Sequence, residues 1–427
     1  MEVRPAARIQ GDIAMPGDKS ISHRLAMIGS IADGTTTIYN FAASADSHST
    51  LSCLLQLGVG FQETGSTVII QGRGLGSYRP PAAELDAGNS GTTVRLMSGI
   101  LAGTPIDATF VGDESLSRRP MKRISEPLRI FGAALEARND NFLPLTVHGG
   151  ALKAIDYTLP VASAQVKSAI LLAGLHARGR TRVVEPAPTR NHTEIALRQF
   201  GADVETDGGV IEIEGGRRLT GQGVTVPGDV SSAAFFVAAA LGLSGSRLRI
   251  RGVGLNPTRT GFINLLEDMG ARIAIEGLAD DGGEPAGNLL IEGSELAGGE
   301  IRGSWIPNVI DEIPVLAVLG TRTRSGIRIR DAAELRTKES DRIQAVVENL
   351  QRLGVQVEAF DDGLFVPGGQ SIHGGIVDSR GDHRIAMAFA VAGLFATGPV
   401  TIEGAPCVDV SYPDFFKVLS QCVRSCE

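Results

Sequence analysis

PGDKSISHRLAMIGSIADGTTTIYN fills positions 16–40. A Pro-Gly turn leads into a lysine, two serines, a histidine and an arginine. The chain then becomes apolar, as LAMIGSIA, and ends in an alternating run after Asp-Gly. A stretch that is hydrophobic nearly all round predicts a buried helix. The alternation predicts a strand. The same succession returns as GNSGTTVRLMSGILAGTPIDATFVG at 88, PVASAQVKSAILLAGLHARGRTRVVEP at 160, PGDVSSAAFFVAAALGLSGSRLRIRG at 227, PNVIDEIPVLAVLGTRTRSGIRIRD at 307 and DSRGDHRIAMAFAVAGLFATGPVTIEG at 378. A period of roughly 70 residues exceeds that of common solenoids, so each unit is a larger supersecondary block. Amphipathic helical segments lie between the copies, among them STLSCLLQLGV, HTEIALRQFGA and ESDRIQAVVENLQRLGV. Further strands follow, as in FQETGSTVIIQG and VQVEAFDDGLFVPG.

Buried helices, amphipathic partners and half-buried strands predict an α/β (α+β) fold with helices packed behind sheets. Six blocks divide as three plus three, and a chain of 427 residues is expected to form two domains on length alone. The break is placed near 226. One lobe is expected over residues 15–226, with copies one to three. The other is expected over 1–14 plus 227–427, with copies four to six and the strand in EVRPAARIQGDIAM completing one of its sheets.

The composition excludes several classes of function. Aromatics are 5% of residues and the net charge is −8, which argues against stacking platforms for single strands and against a general polyanion binder. A small anionic substrate held by a local cluster of Arg and Lys stays open. The cysteines, Cys53, Cys407, Cys422 and Cys426, show no CxxC spacing and are read as reduced and structural, with no metal site. MEVRPAARI has no apolar core of a signal peptide, and AAFFVAAALGL at 233–243 is too short to span a bilayer. A cytoplasmic protein with no membrane or nucleic-acid partner is expected.

Polar starts on buried helices bear on function. A helix N-terminus carries unpaired N–H groups and a partial positive charge, so it attracts anions. Ser, Asp and Asn there are also ordinary caps. Capping does not explain Arg24, Arg95, Arg119, Arg190, Arg342 and Arg384 near such starts, where the dipole disfavours cations. An anionic ligand would offset that cost.

PGDKSISHR (16–24), GNSGTTVR (88–95), GDESLSRRPM (112–121), ASAQVKSA (162–169), TRNHTE (189–194), IDEIPVLAV (310–318), LRTKESDRI (335–343) and GDHRIAMA (381–388) together resemble the 5-enolpyruvylshikimate-3-phosphate synthase family, nearly end to end. ASAQ, TRNHTE and RTKESDR are more similar to the bacterial class often tolerant of glyphosate than to the plant and enterobacterial class. The resemblance implies two similar domains, each of three βαβαββ blocks around buried parallel helices, the inside-out barrel of enolpyruvyl transferases, with the active site in the cleft between them. It implies transfer of the enolpyruvyl group of phosphoenolpyruvate to the 5-hydroxyl of shikimate-3-phosphate, with release of phosphate. It implies a monomer that needs no metal or organic cofactor.

By the same resemblance, shikimate-3-phosphate is expected at Lys19, Ser20, Arg24, Ser163, Gln165, Arg190, Asp311 and Lys338. Phosphoenolpyruvate is expected at Lys19, Gly91, Arg119, Gln165, Arg342 and Arg384. Asp311 is expected at the attacking hydroxyl and Glu339 near the methylene carbon, with Lys19 close enough to share either duty. Each has a plainer reading. Asp311 and Glu312 suit a helix start, and Lys338, Glu339 and Arg342 suit a surface charge network. His383 is read as a ligand group or a helix-start histidine, and His23 and His192 as supporting groups. Asp341 is read as a cap, and GRGLG at 72–76 as a turn. Two departures stand out: Val410 occupies a position where some relatives have lysine, and Gly91 one where some inhibitor-tolerant relatives have alanine.

UDP-N-acetylglucosamine enolpyruvyl transferase is the nearest alternative. That family typically has a cysteine, sometimes an aspartate, in the loop that reads GDESLSRRPM here, so Asp113 keeps the alternative open. RNA 3′-phosphate cyclase would need a nucleophilic histidine, for which His383 is the candidate. An anion-binding scaffold would account for the cations but has no need of the carboxylates among them.

Overall fold

The six apolar stretches form the helices Lys19–Ile31, Gly91–Ala102, Ala164–Gly174, Val230–Gly242, Ile313–Gly320 and His383–Phe395. They are seen in a computed structural model, which describes residues 1–279 and 283–424. Five begin with a side-chain cap: Asp18, Ser90, Ser163, Asp229 and Asp382 accept from the backbone N–H of Ile21, Thr93, Val166, Ser231 and Arg384. The plain capping reading therefore holds at five starts. The remaining one, preceded by Glu312, has no side-chain cap and carries Pro314 in its first turn.

The described residues fall into two units. One holds Met1–Pro16 and the residues from Pro227 onward, except Gly283 and Glu284; the other holds Gly17–Val226 with Gly283 and Glu284. Met15 and Pro16 lie beyond the boundary drawn from sequence for a local reason. The Asp229 N–H donates to the Pro16 carbonyl at 2.8 Å, and Met15 is buried in the first unit's core. Glu284 groups with the second unit because its carboxylate meets His192 Nδ1 at 2.6 Å.

Among the described residues the second unit has three four-stranded sheets of one pattern. In each, a short strand lies parallel to the strand after the buried helix, and two antiparallel strands follow. The sheet Leu85–Asp86, Asp107–Val111, Phe142–His148, Ala134–Arg138 is one example. In the sheet around Asp33–Tyr39 the short parallel strand is Gly223–Thr225, from the far end of the unit. The first unit repeats the theme with three, four and five strands. Its first and last sheets borrow from the N-terminus: Arg8–Ala14 lies parallel to Arg247–Gly254, and Glu2–Val3 pairs with Val400–Glu403. Each unit has its own apolar core, as expected when buried helices fill a ring of half-buried sheets.

Two glycines set close approaches. A Cβ on Gly17 would lie 1.8 Å from the Asn40 carbonyl oxygen, so the Pro-Gly turn can pass that backbone only without a side chain. A Cβ on Gly99 would lie 2.3 Å from the Ala169 carbonyl oxygen, where two buried helices touch. Rigid interiors do not absorb such a methyl. Gly99→Ala is expected to lower stability by about 1–3 kcal/mol, read as a shifted urea midpoint with unchanged slope. An unshifted midpoint would mean that the helices separate freely.

GRGLG ends the strand Thr67–Arg73 with Gly72 and Arg73 and then turns, with positive φ at Gly74 and Gly76. Cys53, Cys407 and Cys422 are free thiols, and Cys426 lies outside the described residues. Burial pushes the Cys53 thiol up to about 12 and those of Cys407 and Cys422 up to about 11, which suits inert groups. Among the described residues no helix is long and apolar enough to cross a membrane.

Candidate active site

In the second unit the opening motif places Lys19, Ser20 and Arg24 on the first two turns of one helix. Lys19 Nζ donates to Asp46 Oδ2 at 2.8 Å. Arg24 is buried, and all three of its nitrogens donate: Nε to Thr193 Oγ1 at 2.8 Å, Nη1 to the Ser20 carbonyl at 2.9 Å, and Nη2 to Ser168 Oγ at 3.1 Å. Burial and then the nearby charge of Arg190 push its pKa down to about 10, while Glu194, Asp18 and Glu284 oppose them. Two cations that raise each other's energy form a site that gains from an incoming anion.

Gly91 starts its helix behind the Ser90 cap. A Cβ there would sit 3.1 Å from Arg95 Nη1. That nitrogen donates to Gln165 Oε1 at 2.7 Å, and Gln165 Nε2 reaches Thr92 Oγ1 at 3.3 Å. Gly91 and Gln165 are thus joined through Arg95, which the sequence had placed near a helix start but outside the site. Arg119 is oriented by Asn89, through Oδ1 at 2.6 Å and the carbonyl at 3.2 Å, and by Ser115 Oγ at 3.1 Å. Ser163 spends its hydroxyl on a cap bond of 3.4 Å.

In the first unit the charges gather on Arg342, whose side chain is 1% exposed. Nε donates to Asp382 Oδ2 at 2.8 Å, Nη2 to Glu339 Oε2 at 2.5 Å, and Nη1 to Asp311 Oδ1 at 3.4 Å. Burial works against the guanidinium charge, but Asp382, Glu339 and Asp311 outweigh it and hold the pKa well above its ordinary value. A surface network is therefore the wrong description of Arg342. It describes Lys338 better: that residue pairs with Glu334 at 3.0 Å. Arg384 Nη1 donates to the Asp311 carbonyl at 2.9 Å and lies 3.8 Å from Glu312. Glu312 is buried and accepts from Ser231, which also accepts from Arg259 Nη2 at 2.5 Å. Asp341 caps the helix Arg342–Arg352 and pairs with Arg336.

Asp382 and Asp46 were not singled out from sequence. Asp382 caps the helix start at Arg384. Its second role, as counter-ion to a guanidinium forty positions earlier, has no local signature. The only sequence sign is an acid beside two cations in one helix start.

His23 is a supporting group. Its Nδ1 lies 2.7 Å from Thr50 Oγ1, which lies 2.7 Å from Thr93 Oγ1, itself 2.8 Å from Ser90 Oγ. This buried polar chain ties three helices together behind Lys19 and Arg24. Burial, then Lys19 and Arg24, hold the His23 pKa well below 6.5. The unfolded chain then binds the extra proton, so stability falls as pH drops below 6.5, by up to about 1.4 kcal/mol per unit. His23→Gln should remove that component. The gap between variant and wild type in urea midpoint should narrow from about pH 7.5 to about pH 5.5. A constant gap would mean that His23 binds its proton equally well folded and unfolded, and a widening gap that it is charged in the fold.

Comparison with known proteins follows the same lines. The family model described as EPSP synthase (3-phosphoshikimate 1-carboxyvinyltransferase) matches residues 3–419. A protein of Solibacter usitatus named 3-phosphoshikimate 1-carboxyvinyltransferase is 54% identical, over 98% of both chains. One of Bacillus cereus strain G9842 with the same name is 51% identical over 97% of both. A solved structure of EPSP synthase from Acinetobacter baumannii, 42% identical, superposes with a TM-score of 0.89 over 100% of this chain and 98% of that one. With capped buried helices, repeated sheets and two cation–carboxylate clusters built from the motifs that carry the likeness, this chain belongs to the EPSP synthase (3-phosphoshikimate 1-carboxyvinyltransferase) family.

Proposed function

We propose that the protein transfers the enolpyruvyl group of phosphoenolpyruvate to the 5-hydroxyl of shikimate-3-phosphate and releases phosphate. The observation that carries the reading at the level of chemistry is Arg342, a buried guanidinium shared by Asp311, Glu339 and Asp382. Such a cluster holds carboxylates near a fixed cation, which is what paired proton transfers need. In the first half-reaction the hydroxyl oxygen bonds to C2 of phosphoenolpyruvate. The hydroxyl proton leaves to a base and the methylene carbon gains a proton to become methyl. In the second half the C2–O bond to phosphate breaks and the methyl gives a proton back, restoring the double bond.

In this reading Asp311 takes the hydroxyl proton and Glu339 serves the methylene carbon. Lys19 assists either transfer. Lys19, Ser20, Arg24, Ser163, Gln165, Arg190, Asp311 and Lys338 hold shikimate-3-phosphate. Lys19, Gly91, Arg119, Gln165, Arg342 and Arg384 hold phosphoenolpyruvate. Arg suits this task because its planar fork matches carboxylate and phosphate. For Lys338 the reading requires that its bond to Glu334 give way to substrate. Developing positive charge at C2 is stabilised by the carboxylates.

The reading extends to a monomer acting in the cytoplasm without metal or organic cofactor. Its test is phosphate release by purified protein from phosphoenolpyruvate, with shikimate-3-phosphate and UDP-N-acetylglucosamine as parallel acceptors and no metal added. Release with shikimate-3-phosphate alone is expected. Release only with the nucleotide sugar would overturn the acceptor, and a dimer mass in light scattering would overturn the monomer.

A further inference from the structure

The segment EPAPTRNHTE, residues 185–194, runs as a loop from the strand Arg180–Val184 into the first turn of the helix His192–Gln199 and carries Arg190. The segment between those elements has no regular structure of its own, so something else must hold Arg190 in place. Lys167, on the neighbouring helix Ala164–Gly174, meets the loop at three points. Its Nζ donates to Glu185 Oε2 at 3.0 Å and to the Thr189 carbonyl at 3.5 Å, and pairs with Glu194 Oε1 at 2.7 Å. Thr189 Oγ1 donates to Glu185 as well. The loop is thus gathered at its start, at the residue before Arg190, and at its end, onto one ammonium that is 1% exposed.

The charges do not balance within this group. One buried ammonium faces two buried carboxylates, Glu185 and Glu194, with side chains 5% and 2% exposed. Glu194 Oε2 is buried without a hydrogen-bond partner. An unmatched carboxylate in a dry interior is costly unless a cation lies nearby. Here that cation is Arg24, whose charge Glu194 supports against burial and against Arg190. Ser168, next to Lys167 in sequence, accepts from Arg24 Nη2. Buried ion clusters are weak devices for stability, and none of these three residues has a part in the reaction chemistry.

We propose that Lys167, through Glu185 and Glu194, is a positioning residue that sets Arg190 and Arg24 for the anionic acceptor substrate. This rests on the assignment of shikimate-3-phosphate to those arginines. The test is steady-state kinetics on the full-length Lys167→Met/Glu185→Leu protein, which removes a matched pair and leaves Glu194 facing Arg24. The expected result is a KM for shikimate-3-phosphate raised about tenfold or more, with kcat within about threefold of wild type. The KM for phosphoenolpyruvate, at saturating acceptor, should stay within about twofold. A purely structural role would instead lower thermal midpoint and active fraction while leaving that KM unchanged, and would overturn the proposal.

Glu185→Gln, which keeps the shape and weakens the hold on the loop, covers the case in which the double variant does not fold. It should raise the same KM by about threefold or more, and a wild-type KM there would also overturn the proposal. Wild-type turnover is measured first. Its absence would sink the substrate assignment itself, whereas unchanged KM values in active variants sink only the role of Lys167.

Discussion

Arg342→Met is expected to abolish measurable turnover and to lower stability by about 3–5 kcal/mol. The side chain is 1% exposed and bonds to Asp382, Glu339 and Asp311. Removing the guanidinium leaves Asp382, which is fully buried, without its strongest counter-charge. Such a carboxylate must bind a proton or draw in water. Part of the lost stability should therefore return on acidification, because protonated carboxyls need no cation. Arg342→Lys keeps a charge but not the fork that spans three partners. It should recover some stability and little turnover. Urea unfolding and phosphate release measured on the same samples separate the two effects. A Met variant as stable as wild type would show that the carboxylates do not depend on Arg342.

Asp311→Ala is expected to lower kcat by about 10²–10⁴ with both KM values near wild type. The binding groups around it remain. Arg384 holds the backbone carbonyl of residue 311, which the substitution preserves. Arg342 keeps Asp382 and Glu339. The Asp311 side chain is 16% exposed and makes the longest of the three contacts to Arg342, so its loss should disturb the fold little. A loss confined to kcat marks an interaction made in the transition state. Near-normal turnover would remove Asp311 from proton transfer, and a rise in the KM for shikimate-3-phosphate alone would leave it only its binding role.

How much of this was legible beforehand differs from residue to residue. The helix Lys19–Ile31 was readable because its apolar residues surround the axis and Asp18 precedes it as a cap. Arg24 was readable as a cation set against the dipole. Its partners were not: Thr193 lies 169 positions away and Ser168 lies 144. Lys338 and Arg342 sit in one short motif at helical spacing, yet one pairs with a local glutamate and the other is buried among three carboxylates. Only Arg342 lies in the helix Arg342–Arg352; Lys338 follows the short turn Ala333–Thr337 and precedes that helix, so the helical spacing did not place the two on one face.

The repeated block, the six buried helices and the capped starts of five of them were written in the sequence. These depend on hydrophobic period and on side chains bonding a few positions away, which are local quantities written in order along the chain. It also placed nearly every group of the proposed chemistry at a helix start, where backbone N–H groups are unpaired. Which charge meets which came from the packing of the chain: Asp382 with Arg342, Asp46 with Lys19, and Glu185 and Glu194 with Lys167. Those pairings follow from how helices pack and which side chains lose water together, and the energy of a charge pair depends on that burial far more than on separation in sequence.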